Sequence, residues 1–246
     1  MNKASAMSES AAAELQSLDL ALARAGQNVS HNLNGQRLGR KGRETRERIV
    51  RAAIEVLHDE GEEQFTLSAV ARRAGLGMSA LYNYFTDLSE LMVAVLEPVM
   101  DSAQETYLSI LGTYWPYDEV GDCSEQFWQC YAGFWSSHAA ILHQRNRMSD
   151  AGDERMLACR VEAGLPLMDG IGRQLGPEGV QEVGAEALAL ASVVATMMER
   201  TVTVQSQPSY RTYTRASLGS DTRSLGHAGA KLLALAITNW RDTTGG

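Results

Sequence analysis

The segment from Phe65 to Leu91 constrains the fold of this chain more than any other, because it joins two short helical patterns through a glycine-bearing turn. Thr66 stands at an N-cap position, where its hydroxyl can accept an amide hydrogen of the first turn. Gly75 and Gly77 bracket Leu76, so the backbone can take left-handed angles while the leucine fills the angle between the helices. In the first helix, apolar residues recur at the i, i+3, i+4 and i+7 spacing of one buried helical face, at Leu67, Val70, Ala71 and Ala74. The pattern predicts a helix-turn-helix.

The second helix of this motif is predicted to begin near Met78 and to have two faces. Leu81, Phe85 and Leu88 recur at i, i+4 and i+7 on the buried face. The opposite face carries Met78, Ser79, Tyr82 and Asn83. Small, polar and aromatic side chains on a short helix suit the major groove of DNA, which admits one α-helix. The local pattern fits a surface turn between ordinary core helices equally well.

The run GLGMSALYNYFTDLSEL, preceded by FTLSAVARRA, resembles the N-terminal DNA-binding domain of the tetracycline-repressor (TetR) family. The resemblance covers about residues 43 to 97. This chain departs from the family at Gly77, where a serine or another capping residue is usual, and at Leu88, where a lysine would contact phosphate. The matching family positions are Thr66, Ala71, Ala74, Gly75, Leu81, Tyr82 and Phe85.

The resemblance implies an all-α fold, with an N-terminal three-helix DNA-binding domain that contains the helix-turn-helix and a C-terminal helical ligand-binding and dimerisation domain. We therefore predict a DNA-binding domain at 37–91 and an effector-binding and dimerisation domain at 92–246. Residues 1–36 form an N-terminal extension, predicted as partly helical over about 10 to 26 or as a disordered arm.

The charged residues are unevenly distributed, with a basic segment at residues 37–85, here called the head, in an otherwise acidic chain. The net charge is −8, but Lys and Arg exceed Asp and Glu by two between residues 37 and 85. The stretch from Arg37 to Arg51 alone carries seven bases and two acids, and its first part, RLGRKGRETR, reads as a short arm without helical periodicity. Such a distribution attracts the head to phosphate and keeps the acidic remainder away from it.

From about Asp101 to the C-terminus the sequence is predicted to form helices only, with breaks at Trp115-Pro116, Gly152, Gly176-Pro177 and Gln207-Pro208. A first helix is expected at about 44–60, ended by Gly61, and should brace the helix-turn-helix. A fourth helix begins after Thr86-Asp87 and runs to Pro98 or slightly past it. The remaining helices are expected at 122–145, which is strongly aromatic, and at 153–175, 178–205 and 223–239. Residues 206–222 are polar and rich in Ser and Thr, and are predicted to form a loop.

Three groups of residues are predicted to contact DNA. Asn83 suits adenine and Ala80 a thymine methyl group, and the residues expected to face bases are Met78, Ser79, Ala80, Tyr82 and Asn83. The family resemblance implies that Thr66, Tyr82 and Tyr84 hold phosphates. The basic residues expected to add salt-dependent affinity are Arg37, Arg40, Lys41, Arg43 and Arg46.

An effector pocket is predicted from the aromatic and methionine side chains of the middle helices. Each one alone fits a plain core position, but together they suit an adaptable apolar pocket. The resemblance implies a small-molecule pocket in each subunit, and we predict a small apolar or aromatic effector. The candidate ligand-binding residues are Met100, Tyr107, Trp128, Tyr131, Trp135, His138 and Arg145.

Catalytic and metal-binding signals are weak, so we expect no enzyme, no catalytic residue, no cofactor and no metal site. His138 and His143 miss the i, i+4 spacing of two ligands on one helical face. Cys123 and Cys130 lie seven residues apart, too far along a helix for a disulfide. No uninterrupted apolar run suits a membrane span, and three cysteines fit a cytoplasmic protein.

The function predicted from these features is a ligand-responsive repressor that binds a palindromic double-stranded DNA operator as a homodimer. In the alternative, the chain is a helical ligand-binding or scaffold protein whose helix-turn-helix no longer reads DNA. Gly77, Leu88 and the modest positive charge of the head favour that alternative.

Overall fold

The structure, a computed structural model, describes residues 39–207, Tyr210 and residues 222–244. Helices and their connections make up this part of the chain, and no strand occurs in it. The predicted all-α class, with an N-terminal helix-turn-helix domain followed by helices, is therefore confirmed. The predicted helix over about 10 to 26, the candidate Arg37 and most of the predicted 206–222 loop lie outside the described residues.

Long helices alternate with short connections along the chain. A 3-10 turn, Glu62–Gln64, follows the first helix. The fourth helix is followed by a π-helical segment, Gln104–Leu108, and by a short helix, Ser109–Leu111. A second 3-10 turn, Tyr117–Glu119, precedes the fifth helix. The main helices are α1 (Arg40–Asp59), α2 (Leu67–Arg73), α3 (Met78–Leu81), α4 (Leu88–Ala103), α5 (Val120–Ser137), α6 (Ala139–Asp150), α7 (Glu154–Leu175), α8 (Ala185–Ser206) and α9 (Thr222–Thr244).

Two predicted helix starts are wrong by several residues. Helix α1 begins at Arg40 rather than Glu44, so most of the basic stretch predicted as an arm is helical. Arg40, Lys41 and Arg43 are strong helix formers that offset Gly42 in this turn, and an Arg40–Glu44 ion pair at 3.0 Å supports it. Helix α8 begins at Ala185 rather than near 178, because Pro177 and Gly179, whose φ is 78°, hold the preceding chain in a turn.

The predicted aromatic helix at 122–145 is two helices. The break falls at His138, whose φ of −119° and ψ of 23° lie outside the helical region. Ser136 and Ser137 precede it, and serine competes with helix formation by hydrogen bonding to nearby backbone. Helix α4, by contrast, is longer than predicted, because it passes through Pro98 and ends at Ala103.

The described residues form two compact units, one of 39–102 with 137–160 and the other of 103–136 with 161–244. Their boundaries do not follow the predicted division at 91/92, which stays a prediction of functional domains. In the first unit α1 packs against α2 and α6, as expected of a bracing helix. Its buried apolar residues include Ile49, Ala53, Val56, Val70, Leu81 and Phe85.

In the second unit an aromatic cluster fills the core. The Tyr107 ring packs edge-on against Tyr131 at 4.9 Å and Phe134 at 5.1 Å between centroids, and Trp135 continues the cluster beyond Tyr131. The buried side chain of Gln174 accepts a hydrogen bond from the Trp115 backbone amide at 3.0 Å. These contacts hold α5, α7 and the connecting segments together.

Helix α8 is the one described helix whose length and mean hydropathy, 1.4 over its most apolar window of 18 residues, would suit a membrane span. One such helix is weak support for a span, because core helices of globular domains pass the same test. Helix α8 packs against α9 within the second unit, as a core helix does.

Two glycines of α9 let it approach Trp128 of α5 closely. A Cβ built on Gly229 would lie 2.4 Å from Cη2 and Cζ3 of Trp128, and one on Gly226 would lie 2.9 Å from its Nε1. No side chain larger than hydrogen fits at either position without movement of the buried indole. This contact fixes how α5 and α9 pack.

We expect Gly229→Ala to lower the free energy of unfolding by about 1–3 kcal/mol, because the added methyl overpacks the Trp128 contact. Gly133→Ala is the matched control, since it lies in the helix α5 with open space around its Cβ position and should gain about 0.5–1 kcal/mol. Urea unfolding followed by circular dichroism measures both. Equal effects of the two substitutions would contradict the close packing.

Candidate nucleic-acid interface

The turn between α2 and α3 is closed by a pair of backbone hydrogen bonds that ends α2 sharply. The Leu76 amide donates to the Ala71 carbonyl at 2.9 Å, and the Gly75 amide donates to the Arg72 carbonyl at 3.2 Å. Gly75 has a φ of 65°, the left-handed conformation that this arrangement, the Schellman motif, requires. The predicted left-handed turn is therefore confirmed at Gly75.

Gly77 differs from the prediction that both glycines serve the turn. Its φ of −77° and ψ of 153° are extended angles that any residue adopts, and it precedes α3 as an N-cap without a side chain. A Cβ at this position would meet no atom within 4 Å. The glycine leaves the first turn of α3 uncapped, and nothing in the local structure requires it.

The predicted N-cap of α2 is present. The Thr66 Oγ1 atom accepts a hydrogen bond from the Ala69 amide at 3.2 Å, and it lies 3.1 Å from the Ser68 hydroxyl oxygen. Thr66 itself is exposed. The hydroxyl that the family resemblance assigns to phosphate therefore also fixes the start of α2.

Helix α3 is shorter than the pattern suggested, since it spans only Met78–Leu81. It continues into a tighter turn in which the Tyr84 amide donates to the Leu81 carbonyl at 2.9 Å. Leu81 and Phe85 are buried and Leu88 is half-buried, so the predicted inner face is preserved. On the outer face Ser79, Tyr82 and Asn83 are exposed, and Met78, Ala80 and Tyr84 are half-buried.

Two arginines that were counted toward the basic head are engaged within it. Arg73 of α2 forms ion pairs with Asp59 at 2.6 Å, Glu60 at 2.9 Å and Glu55 at 3.5 Å. Arg72 pairs with Glu60 at 3.3 Å. The Arg73 pKa is raised chiefly because its guanidinium donates hydrogen bonds to the Asp59 and Glu60 carboxylates. These pairs tie α2 to the end of α1 and neutralise charge there.

The remaining basic candidates lie along the first half of α1. Arg40 and Lys41 are exposed and Arg43 is half-buried at its start. Arg46 lies over the Phe85 ring, with its guanidinium carbon 5.2 Å from the ring centroid. Burial lowers the Arg46 pKa, while nearby carboxylates, including Glu97, oppose that change. Arg46 therefore packs α1 onto the end of the helix-turn-helix, a role that spacing did not reveal.

A reciprocal pair of contacts joins the beginnings of α4 and α7. Asp87 caps α4 by accepting from the Glu90 amide at 2.8 Å, and its two carboxylate oxygens also accept from Arg155 Nη1 of α7 at 2.8 and 3.0 Å. Asp153 caps α7 and accepts from the Ser89 hydroxyl of α4. Burial acts to raise the Asp87 pKa, but hydrogen bonds from Glu90 and Thr86 and the charge of Arg155 lower it overall.

Sequence reasoning missed this connection because the two segments lie more than sixty residues apart, and no local pattern pairs them. The available signal was a pair of capping signatures, Asp87 before α4 and Asp153 before α7. Only tertiary structure shows that each cap contacts the other helix.

The predicted effector-binding residues are divided between the two compact units. Met100, His138 and Arg145 belong to the first unit, and Arg145 is buried with its guanidinium donating to the Asn146 side-chain oxygen at 2.9 and 3.0 Å. Tyr107, Trp128, Tyr131 and Trp135 belong to the second unit, where all four are buried. Tyr107, Tyr131 and Trp135 pack against other rings of the core.

Trp128 alone of the seven lines an open cavity of about 590 Å³ in the second unit. The other lining residues, among them Glu125 and His227, were not singled out by sequence. Within the described ranges, no three His, Cys, Asp or Glu side chains group closely enough to hold a metal ion.

Comparisons with known proteins agree with this geometry. A sequence model of bacterial regulatory proteins of the tetR family matches residues 49–95. HTH-type transcriptional regulators of Staphylococcus aureus strains USA300 and N315 are each 34% identical over 59 residues, which is 24% of this chain and 32% of theirs. The match thus spans about a third of the length of these curated relatives.

The fold also resembles that of a TetR-like transcriptional regulator from Rhodococcus sp. RHA1. The two structures align with a TM-score of 0.50 and 19% identity, over 85% of this chain and 100% of the other. At that identity the likeness concerns the fold alone.

We expect opposite effects from serine at the two glycines of the turn. Gly75→Ser should destabilise the protein by about 1–2 kcal/mol, because a side chain disfavours its left-handed backbone. Gly77→Ser should stabilise it by about 0.5–1 kcal/mol, because serine adopts the extended angles, caps α3 and restricts the unfolded chain. Thermal unfolding compares the two variants, and destabilisation by serine at position 77 would contradict the observed backbone.

Proposed function

Because residues 49–95 place this chain in the TetR family of bacterial regulatory proteins, we propose that it is a ligand-responsive transcriptional repressor that binds a palindromic DNA operator as a homodimer. The observation that carries the proposal is the outer face of α3. Ser79 of α3 and Tyr82 and Asn83 of the turn directly after it are exposed, and the Gly75 turn fixes the entry to this helix. Reading DNA sequence needs such a face, rigidly held and exposed to solvent.

Base recognition is assigned to the outer face of α3 and the turn that follows it. Asn83 carries both a donor and an acceptor, which match the N7 and N6 groups of adenine in the major groove. Ala80 offers a methyl for a thymine methyl group, and Met78 and Ser79 lie at the start of the helix. The Tyr82 side chain is 49% exposed, which leaves its hydroxyl able to reach a base or a phosphate.

Phosphate contacts are assigned to side chains that flank α3. Arg40, Lys41 and Arg43 lie in the first turns of α1, where Arg40 and Lys41 are exposed and Arg43 is half-buried. Thr66 and Tyr84, at the two ends of the motif, are proposed to contact the backbone as well. Arg46 contributes by holding Phe85 rather than by direct contact. Phosphate contacts fix the register of the protein and make its affinity depend on salt.

Dimerisation is assigned to an exposed apolar surface on α8 and α9. Single exposed apolar residues are ordinary, but several on two neighbouring helices indicate an interface. A two-fold dimer would place two α3 helices about 34–36 Å apart, one turn of duplex, and so favour a palindromic operator. The exposed apolar residues are Leu188 and Val193 of α8 and Leu225, Leu232 and Leu235 of α9.

Release of DNA by an effector requires a ligand that binds the non-binding state more tightly. The free energy that couples effector binding to DNA binding equals the difference between the binding free energies of the effector for the two states, commonly about 1–3 kcal/mol. The contacts of Asp87 with Arg155 and of Ser89 with Asp153 support a route from α7 to the segment directly after α3. A change at α7 would act on α4 through these contacts.

The alternative is a helical ligand-binding or scaffold protein that does not read DNA. Three observations favour it. Gly77 leaves α3 without a side-chain cap, Leu88 provides no phosphate contact, and Arg72 and Arg73 are paired with acids at the end of α1 or directly after it. The repressor needs the exposed α3 face for specific DNA binding, whereas the scaffold protein would bind no DNA sequence specifically.

The combined substitutions Tyr82→Ala and Asn83→Ala test DNA reading. We expect affinity for the operator to fall tenfold or more, since one good base contact is worth about 1–3 kcal/mol, while the dimer survives. The measurement is a titration of DNA from upstream of the protein's own coding sequence, against random competitor, at two salt concentrations. Gln126→Ala, an exposed position of α5, is the control.

Operator affinity that exceeds competitor affinity in the wild type and is unchanged by the double substitution would contradict the assigned reading face. Absence of any sequence-specific site in a selection from random DNA would favour the scaffold alternative.

The combined substitutions Leu232→Lys and Leu235→Lys test the dimer surface. Both side chains are 54% exposed, so lysine should not disturb the fold, but two charges buried at an interface should yield monomers. Light scattering measures the molar mass. Val161→Lys with Leu165→Lys on α7, at 53% and 55% exposure, is the matched control and should remain dimeric. The reverse pattern would move the interface to α7.

A further inference from the structure

The cavity of about 590 Å³ in the second unit has the size of a small-molecule site, which typically lies between 300 and 1,000 Å³. It is bounded by side chains of α5, of the C-terminal part of α8 and of the N-terminal part of α9. Its lining combines a few apolar groups with several polar side chains. These residues are Glu125, Trp128, Gln129, Ala132, Ser136, Val202, Gln205, Ser206, Gly226 and His227.

One wall of the cavity is rigid. The indole of Trp128 is held between α5 and α9 by the close approach of Gly226 and Gly229, so it cannot turn without moving a helix. Val202 of α8 is buried beside the same cavity. An aromatic side chain held in place before binding spares a ligand the cost of ordering it.

The charge of the cavity is set by Glu125. Its carboxylate is half-buried and accepts a hydrogen bond from Gln129 Nε2 at 3.2 Å, while its other oxygen lies 3.2 Å from Nδ1 of His227. Among the lining residues that the structure describes there is no lysine or arginine. Glu125 is the carboxylate of this described lining, and its charge favours a positive ligand.

Carboxylate and indole together are the pair of groups that recognises organic cations. A carboxylate forms charge-assisted hydrogen bonds with an ammonium, and the indole ring attracts a cation and offers apolar contact. The exposed Ser136 hydroxyl provides an acceptor for a further ammonium hydrogen.

We propose that this cavity binds a small organic cation, an ammonium attached to an aromatic or other apolar body, with the ammonium at Glu125 and the body against Trp128 and Val202. This proposal narrows the class of effector in the proposed function. Only the effect of the ligand on DNA binding rests on that proposed function. Binding itself is a property of the second unit and is measured without DNA.

The test uses three matched probes on the full chain: 1-naphthylmethylamine, which is a cation, 1-naphthylmethanol, which is neutral, and 1-naphthoic acid, which is an anion. Isothermal titration calorimetry should show the amine binding about tenfold or more tightly than the alcohol, with no measurable binding of the acid. Glu125→Gln should remove this preference for the amine. Glu119→Gln, an exposed acid just before α5 that does not line the cavity, should preserve it.

A second variant tests the location independently of charge. Ala132→Phe should fill the cavity and abolish amine binding, with circular dichroism confirming that the helices are retained. The proposal is overturned if the amine does not bind, if it binds no better than the alcohol, or if neither Glu125→Gln nor Ala132→Phe weakens it.

Operator titrations with and without the amine then separate this inference from the proposed function. Amine binding that leaves operator affinity unchanged supports the cavity site and removes its role as an effector site. Specific DNA binding by a protein that ignores the amine supports the regulator and overturns the cavity assignment.

Discussion

The burial of Leu81 and Phe85 is the constraint on which the proposed DNA-reading surface depends. Helix α3 has a single turn, and a helix of that length has no stability of its own in water. Its position is therefore decided by its anchors, with Leu81 fully buried and Phe85 buried beneath Arg46 of α1. The Gly75 turn adds the angle at which α3 leaves α2. Any exposed residue of α3 owes its orientation to these contacts.

Ion pairs make a different contribution to the same unit. Arg73 pairs with Glu55 and Asp59 of α1 and with Glu60 directly after it, and Arg72 pairs with Glu60, so α2 is tied to the end of α1 at the cost of positive charge near the turn. Exposed pairs of this kind contribute little stability each, but a shared arginine fixes geometry. The basic surface is thereby concentrated in the first half of α1. A count of charges along the sequence overstates what the head as a whole offers to phosphate.

Aromatic residues of the second unit that look alike in sequence have two different structural roles, packing in the core and lining a cavity. Tyr107, Tyr131 and Trp135 contact one another or neighbouring rings and fill the core, as the plainer interpretation of each residue held. Trp128 packs against two glycines and lines a cavity that also holds a carboxylate. The chemistry of that cavity supports a cationic ligand, whereas composition alone suggested an apolar or aromatic one. The difference comes from Glu125 and His227, which lie about a hundred residues apart in the chain.

The sequence by itself determined the all-α class, the helix-turn-helix, the Thr66 cap and the inner face of α3, because each follows from local periodicity, capping or glycine angles. It predicted helix starts less well at Arg40 and Ala185, where helix-forming arginines and a glycine turn moved the boundaries. Tertiary structure alone decided the pairing of the α4 and α7 caps, the place of Arg46 on Phe85, and the cavity beside Trp128. These depend on contacts between distant segments, and such contacts leave no periodic signal in the chain.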